Sequence, residues 1–136
     1  SGKLIMHLLK ERGHAVAAYH LVKDEPAQIK ALIEEAAGNP SVQAVLINGG
    51  TGISRRDSTF EAVDAMLEKR LDGFGELFRY LTYQDIGSPA IMSRATAGLY
   101  RGRIVFSTPG SEGAVRLAME KLILPELGHM VREIAK

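Results

Sequence analysis

The side chains with chemistry to offer fall in a few short stretches. Gly49-Gly50-Thr51-Gly52 is a run in which backbone N–H groups can approach an anion with no Cβ in the way. Successive N–H groups in such a run can converge on one phosphate. A plain turn is the competing reading, and the residues alone leave both open. The run is neither of two familiar phosphate loops. There is no GxxxxGK[ST], and a GxGxxG that starts at Gly50 and Gly52 meets Arg55 at its third glycine. Asp24 and Asp57 could hold Mg²⁺ beside a phosphate cradle, since that ion takes oxygen ligands. They could equally be a turn residue and a helix cap. Arg55 and Arg56 could neutralise a polyphosphate or simply be solvated. Ser93-Arg94 follows a Pro-initiated turn, and Ser111 lies just past Pro109-Gly110 at a helix start. Hydroxyls and N–H groups there favour anions or cap the helix. Glu76 follows Gly73-Phe74-Gly75, as a surface charge or a ligand.

Several chemistries are excluded or disfavoured. There is no cysteine, so no disulfide, thiolate nucleophile or Cys zinc site. His7, His14, His20 and His129 show no metal-ligand spacing. No GxSxG elbow or nucleophile–base pair is present, which disfavours hydrolases with covalent intermediates. Seventeen Lys+Arg against sixteen Asp+Glu give a net charge of +1, unlike a strongly basic nucleic-acid binder. No apolar run nears the roughly 20 residues of a membrane span. A cysteine-free chain with no signal peptide is expected in the cytoplasm.

These residues need elements to position them. At 136 residues the chain is expected to form one domain, 1–136, with a single core. Apolar residues at helical spacing predict helices over 3–12, 26–37, 58–70, 75–86, 112–122 and 125–135, with a helix-prone stretch at 91–95. Pro26 suits a first turn. Glu61 stands three residues after Ser58, a capping-box spacing. Strands are expected at 15–22, 42–48 and 103–108. The alternation predicts an α/β fold of three layers, α/β/α, with a mainly parallel sheet. Ligands of such sheets sit beyond the carboxyl ends of the strands. The loops after Val22, Asn48 and Thr108 would then share one rim.

Four motifs resemble the MoaB/MogA family of molybdenum cofactor biosynthesis proteins: NGGTGISRRDSTFEAV at 48–63, GFGELFR at 73–79, IGSPAIMSRATAG at 86–98 and STPGSEGAVRLA at 107–118. LILPELGH at 122–129 looks most like the bacterial MoaB branch. The resemblance implies Mg-ATP-dependent adenylylation of molybdopterin, giving adenylyl-molybdopterin and pyrophosphate, in a homotrimer or hexamer that serves a downstream metal-insertion protein. It assigns Gly49, Gly50, Thr51 and Gly52 to the nucleotide phosphates. Asp24 and Asp57 become the Mg²⁺ and catalytic residues, and Glu76, Ser93, Arg94 and Ser111 the pterin site. The chemistry agrees with the residues: in-line adenylyl transfer needs positioned anions and charge neutralisation, not a side-chain nucleophile. The family has an N-terminal strand and a D-x-S-G loop before its first helix. This chain starts at that Ser-Gly, so the strand is expected to be absent from it. Ser111-Glu112 also stands where the best-matched adenylyltransferases carry Asn-Pro. A pterin carrier without turnover, and a nucleotide-binding domain with another substrate, therefore stand beside the enzyme reading.

Overall fold

Apolar side chains at helical spacing set the helices of the computed structural model, which describes residues 1–136. Helix α1 (Gly2–Glu11) is the first element and buries Ile5 and Leu8. Helix α2 (Pro26–Ala37) opens on Pro26 and buries Ile29, Ile33 and Ala37. Strand β1 (Ala44–Asn48) leads through the glycine loop to α3 (Thr59–Met66). A two-residue strand β2 (Lys69–Arg70) precedes α4 (Asp72–Ile86) and a 3₁₀ turn, Ser88–Met92. Strands β3 (Thr96–Tyr100) and β4 (Arg103–Thr108) follow. The chain ends in α5 (Glu112–Leu117), a π-helical turn Ala118–Ile123 and α6 (Leu124–Ile134).

The four strands lie in the order β1-β4-β3-β2. Strands β1 and β4 are parallel, from Ala44 opposite Ile104 to Asn48 opposite Thr108. The two β3 pairings are antiparallel, so the sheet of this chain is mixed rather than mainly parallel. The cause is a tight hairpin. Arg101 and Gly102 both have positive φ, 47° and 77°, the backbone signs of the two-residue turn that suits strand twist.

Helices cover both faces, giving the three layers. On one face α1, α4, α5 and α6 close over Ile104 and Phe106, with Phe74, Phe78 and Met119 in the same cluster. The Phe74 ring meets Phe106 edge-on at 5.1 Å. On the other face Ile29, Ile33 and Val63 from α2 and α3 pack on Val105 and Tyr100.

Other expectations are corrected in detail. Residues 15–22 form no strand: they make no backbone ladder bond, and Leu21 is 90% exposed. β-prone residues alone do not make a strand without a partner. The helix expected over 58–70 stops at Met66, because Glu68 and Leu71 N–H donate to the Leu99 and Ala97 carbonyls (both 2.8 Å) and the sheet edge takes the segment. The two final helices run together through the π turn. Pro125 has no N–H to give, and the wider turn just before it accommodates the missing bond.

Candidate active site at the strand ends

Register decides which loops meet. Because β1 and β4 are parallel and end level, their following loops emerge side by side, and Gly49 N–H donates to the Thr108 carbonyl at 2.8 Å. Strand β3 runs the opposite way with Thr96 opposite Ser107, so the residues just before it, Ser93 to Ala95, reach the same rim. The start of α1 joins them: Ser1 Oγ donates to the Gly110 carbonyl at 2.6 Å.

The glycine loop is shaped by backbone that other residues resist. Gly49 and Gly50 have φ of 102° and 66°. A Cβ on Gly50 would run into the Thr59 side chain and come to 3.0 Å from Asp24 Oδ2. A Cβ on Gly52 would lie 2.7 Å from Asp57 Oδ2. Each aspartate therefore stands against one glycine of the loop.

The two carboxylates are held differently. Asp24 accepts from Thr59 Oγ1 at 2.7 Å, Ser58 Oγ at 2.9 Å and Ser58 N–H at 3.1 Å. It caps α3 from 34 residues away, and Ser58, expected to cap it, makes no side-chain cap bond. Burial pushes the Asp24 carboxyl up, but the Thr59 and Ser58 hydrogen bonds outweigh it and hold it below the usual aspartate range. Asp57 is half-buried, and only its backbone is engaged: its N–H donates to the Ser54 carbonyl at 3.1 Å and its own carbonyl accepts from Arg94. Its carboxylate is free to take a ligand.

Arg94 proves to be the clamp of the loop. Its Nε donates to the Thr51 carbonyl at 2.9 Å, and Nη2 donates to the carbonyls of Gly52 and Asp57. The guanidinium pairs with Glu61 and lies 4.8 Å from the Phe60 ring centre. The hydrogen bond from Arg94 holds the Glu61 carboxyl below its usual range. So Glu61 serves Arg94 rather than a capping box. Arg55 and Arg56 are exposed beside the loop.

The remaining site residues divide. Ser93 keeps a buried hydroxyl with no hydrogen-bond partner at the rim, as does Ser107 on β4. Ser111 Oγ accepts from Ala114 N–H at 3.2 Å, so it caps α5. Glu76 lines a depression of about 280 Å³ with Leu71, Asp72, Gly75, Arg79, Ala95 and Thr96.

The sequence that builds this rim matches a known family. Residues 1–129 fit the family model described as "Probable molybdopterin binding domain". The chain belongs to this family. Molybdenum cofactor biosynthesis protein B of Bacillus subtilis is 56% identical over 137 residues, covering all of this chain and 81% of that protein. A crystal structure of a molybdenum cofactor biosynthesis protein B, 54% identical, superposes with a TM-score of 0.96 over 99% of this chain and 84% of the other. The tungsten cofactor synthesizing protein MoaB from Pyrococcus furiosus is 36% identical, with a TM-score of 0.91 over all of this chain and 85% of its own. The MoaB/MogA resemblance seen in the motifs is thereby established.

In this molybdopterin-binding-domain chain, two site features escaped the sequence. One is the set of carbonyls that Arg94 grips. The other is Thr59, whose hydroxyl fixes Asp24. A signal for the second was present: a residue pair Ser58-Thr59 at a helix start offers donors to any carboxylate brought there.

Proposed function

We propose that this chain adenylylates molybdopterin. A terminal phosphate oxygen of the pterin attacks the α-phosphorus of ATP, the bond to the β-phosphate oxygen breaks, and pyrophosphate leaves. The observation that carries the reading is the placement of Asp24 and Asp57 against Gly50 and Gly52 of a loop with two positive-φ glycines. The loop's N–H groups suit the nucleotide phosphates, and its fixed shape would hold two mutually repelling anions in line. The names of the relatives support a place in molybdenum or tungsten cofactor synthesis.

The donor set fits Mg²⁺, which is bound through one or two carboxylates plus substrate phosphates and water rather than by an all-protein cage. Asp57, whose carboxylate makes no hydrogen bond or ion pair, would hold the ion, with Asp24 against the nearby Gly50 of the same loop. Bound there, Mg²⁺ supplies charge neutralisation at the phosphates. Asp24 stays ionised through its bonds to α3, and Arg55 and Arg56 add positive charge at the loop mouth.

The same reading places the chain in the cytoplasm as a homotrimer or hexamer, handing product to a metal-insertion protein, with no nucleic acid or membrane partner. No helix is long and apolar enough to cross a membrane. A second reading, a molybdopterin carrier without turnover, draws on Ser111, whose hydroxyl is spent on capping α5.

The test mixes the protein with freshly released molybdopterin and Mg-ATP and follows pyrophosphate and adenylyl-molybdopterin. Pterin-dependent product is expected, and Asp57→Asn is expected to lose it by at least about a hundredfold, the range for removing a group that stabilises the transferring charge. Pterin binding with no product from the unaltered protein would reject the enzyme reading in favour of the carrier.

A further inference from the structure

We infer that Arg79, on α4, is a positioning residue for the glycine loop, acting through the segment 93–95 and the Arg94 side chain. This rests on the reading of that loop as the nucleotide-phosphate site. The motif that carries Arg79, GFGELFR, otherwise gives the site only Glu76.

The segment 93–95 has little of its own to hold it. It lies between the 3₁₀ turn and β3, outside both. Its one backbone hydrogen bond runs from the Ser93 N–H to the Ala90 carbonyl, at 3.1 Å. Yet Arg94 must leave this segment at a fixed angle to reach the carbonyls of Thr51, Gly52 and Asp57. Arg79 supplies the missing anchor. Its Nη1 donates to the Ala95 carbonyl at 3.1 Å and, more weakly, to the Ser93 carbonyl at 3.5 Å, one on either side of Arg94. A rigid guanidinium has donors enough for both.

Two features show that Arg79 is committed to this contact. Asp72 and Glu76 line the same depression, yet Arg79 pairs with neither. Helix α4 also carries a glycine where the contact is made. A Cβ on Gly75 would lie 2.7 Å from Arg79 Nη2 and 2.8 Å from the Ala95 carbonyl oxygen. Glycine weakens a helix. At position 75 its bare backbone is what lets the guanidinium and the segment close on α4. Gly73, two residues earlier, has nothing within 4 Å of its Cβ position.

The two arginines form one relay, from α4 through 93–95 to the glycine loop. Loss of the first grip frees the segment, and Arg94 loses its aim at the loop carbonyls. The loop's N–H groups are then held less firmly where phosphates need them. A misplacement of about 1 Å caused from outside a site is enough to weaken its chemistry.

The test reads the loop directly, by native-state amide hydrogen exchange, and then by ATP titration. The Asp57 and Phe60 amides report on the loop, since they donate to the Ser54 and Gly50 carbonyls. Arg79→Met and Gly75→Ala are each expected to speed their exchange about 3- to 30-fold and to weaken ATP binding by a similar factor. Amides of α2 should keep parental rates, and Gly73→Ala should match the parent throughout. Arg79→Lys keeps the charge and one donor, so it should fall between parent and Arg79→Met. Because Arg79 acts through Arg94, Arg79→Met added to Arg94→Met should cost no more ATP affinity than Arg94→Met alone. Parental loop exchange in Arg79→Met, equal acceleration in α2, or losses that multiply in the double variant would each overturn the inference. If the parent binds no ATP, the nucleotide reading falls and the exchange rates still decide the relay. If ATP binds and the exchange pattern fails, the relay alone falls.

Discussion

At the scale of single residues, Arg94 carries the most consequence. Its motif placed it near a pterin, yet its side chain spans the carbonyls of Thr51, Gly52 and Asp57. No spacing rule links position 94 to carbonyls about 40 residues upstream, so the sequence showed the residue and not its work. A lysine is a single point charge and cannot reproduce a planar fork over several acceptors. Arg94→Lys is therefore expected to lower stability in urea unfolding by about 1–3 kcal/mol, the cost of orphaned charge-assisted bonds. A variant that kept full stability and lost only pterin affinity would return Arg94 to the ligand. Asp24 makes a second prediction through pH. Its folded-state value is lowered, so its contribution to stability is whole above the ordinary aspartate value of about 3.9 and is lost as pH falls through the lowered one. Urea midpoints at pH 7, 5, 4 and 3 should show the parent more stable than Asp24→Asn at the upper values, with the gap closing below about pH 4. A gap constant down to pH 3 would mean that the carboxylate is not what holds α3.

Elements were legible where one chain segment decides its own form and illegible where a neighbour decides. Helices α1, α2 and α4 and strands β1 and β4 lie close to where periodicity and apolar runs put them. Strand β3 was missed because Ala97 and Gly98 carry little β signal, and pairing with β4 is what makes it a strand. The pair Arg101-Gly102 ahead of an apolar run was its one visible sign. The glycine loop is the element on which the proposed chemistry depends, and two alanine substitutions separate its backbone demand from ordinary helix propensity. Gly50→Ala meets both a φ of 66° and the Thr59 side chain, so it should cost about 1–3 kcal/mol and weaken ATP binding. Gly128 lies inside α6, where a Cβ would come no nearer than 3.6 Å to Arg132 Nη1. Gly128→Ala should stabilise by about 0.5–1 kcal/mol with ATP binding unchanged. Thermal melts and a nucleotide titration of the pair check both. Equal effects from the two substitutions would remove the case for a strained, functional loop.

The whole molecule adds a property that neither motif nor element shows, the distribution of apolar surface. The layered architecture followed from alternating helices and strands, but which face stays bare depends on how the helices turn against the sheet. Helix α4 buries Phe74 and Phe78 and leaves Leu77, Tyr80 and Tyr83 more than half exposed. The adjoining 3₁₀ turn adds Ile91, 86% exposed, and Met92. Apolar side chains gathered on one side of a domain mark an interaction surface. The occupant argued for is a second copy, since the expected trimer or hexamer must bury roughly 800 Å² per subunit contact somewhere. This face also carries Glu76 and the depression beside it, so assembly through α4 would wall that depression. Light scattering of the parent should give three or six times the 14.8 kDa of one chain. The double substitution Tyr80→Glu with Ile91→Glu places two charges on side chains that the monomer leaves in solvent, so its fold should survive and its mass should fall to that of one chain. An unchanged mass would move the interface to another face. A monomeric variant that still binds pterin with parental affinity would show that each site is complete within its own subunit.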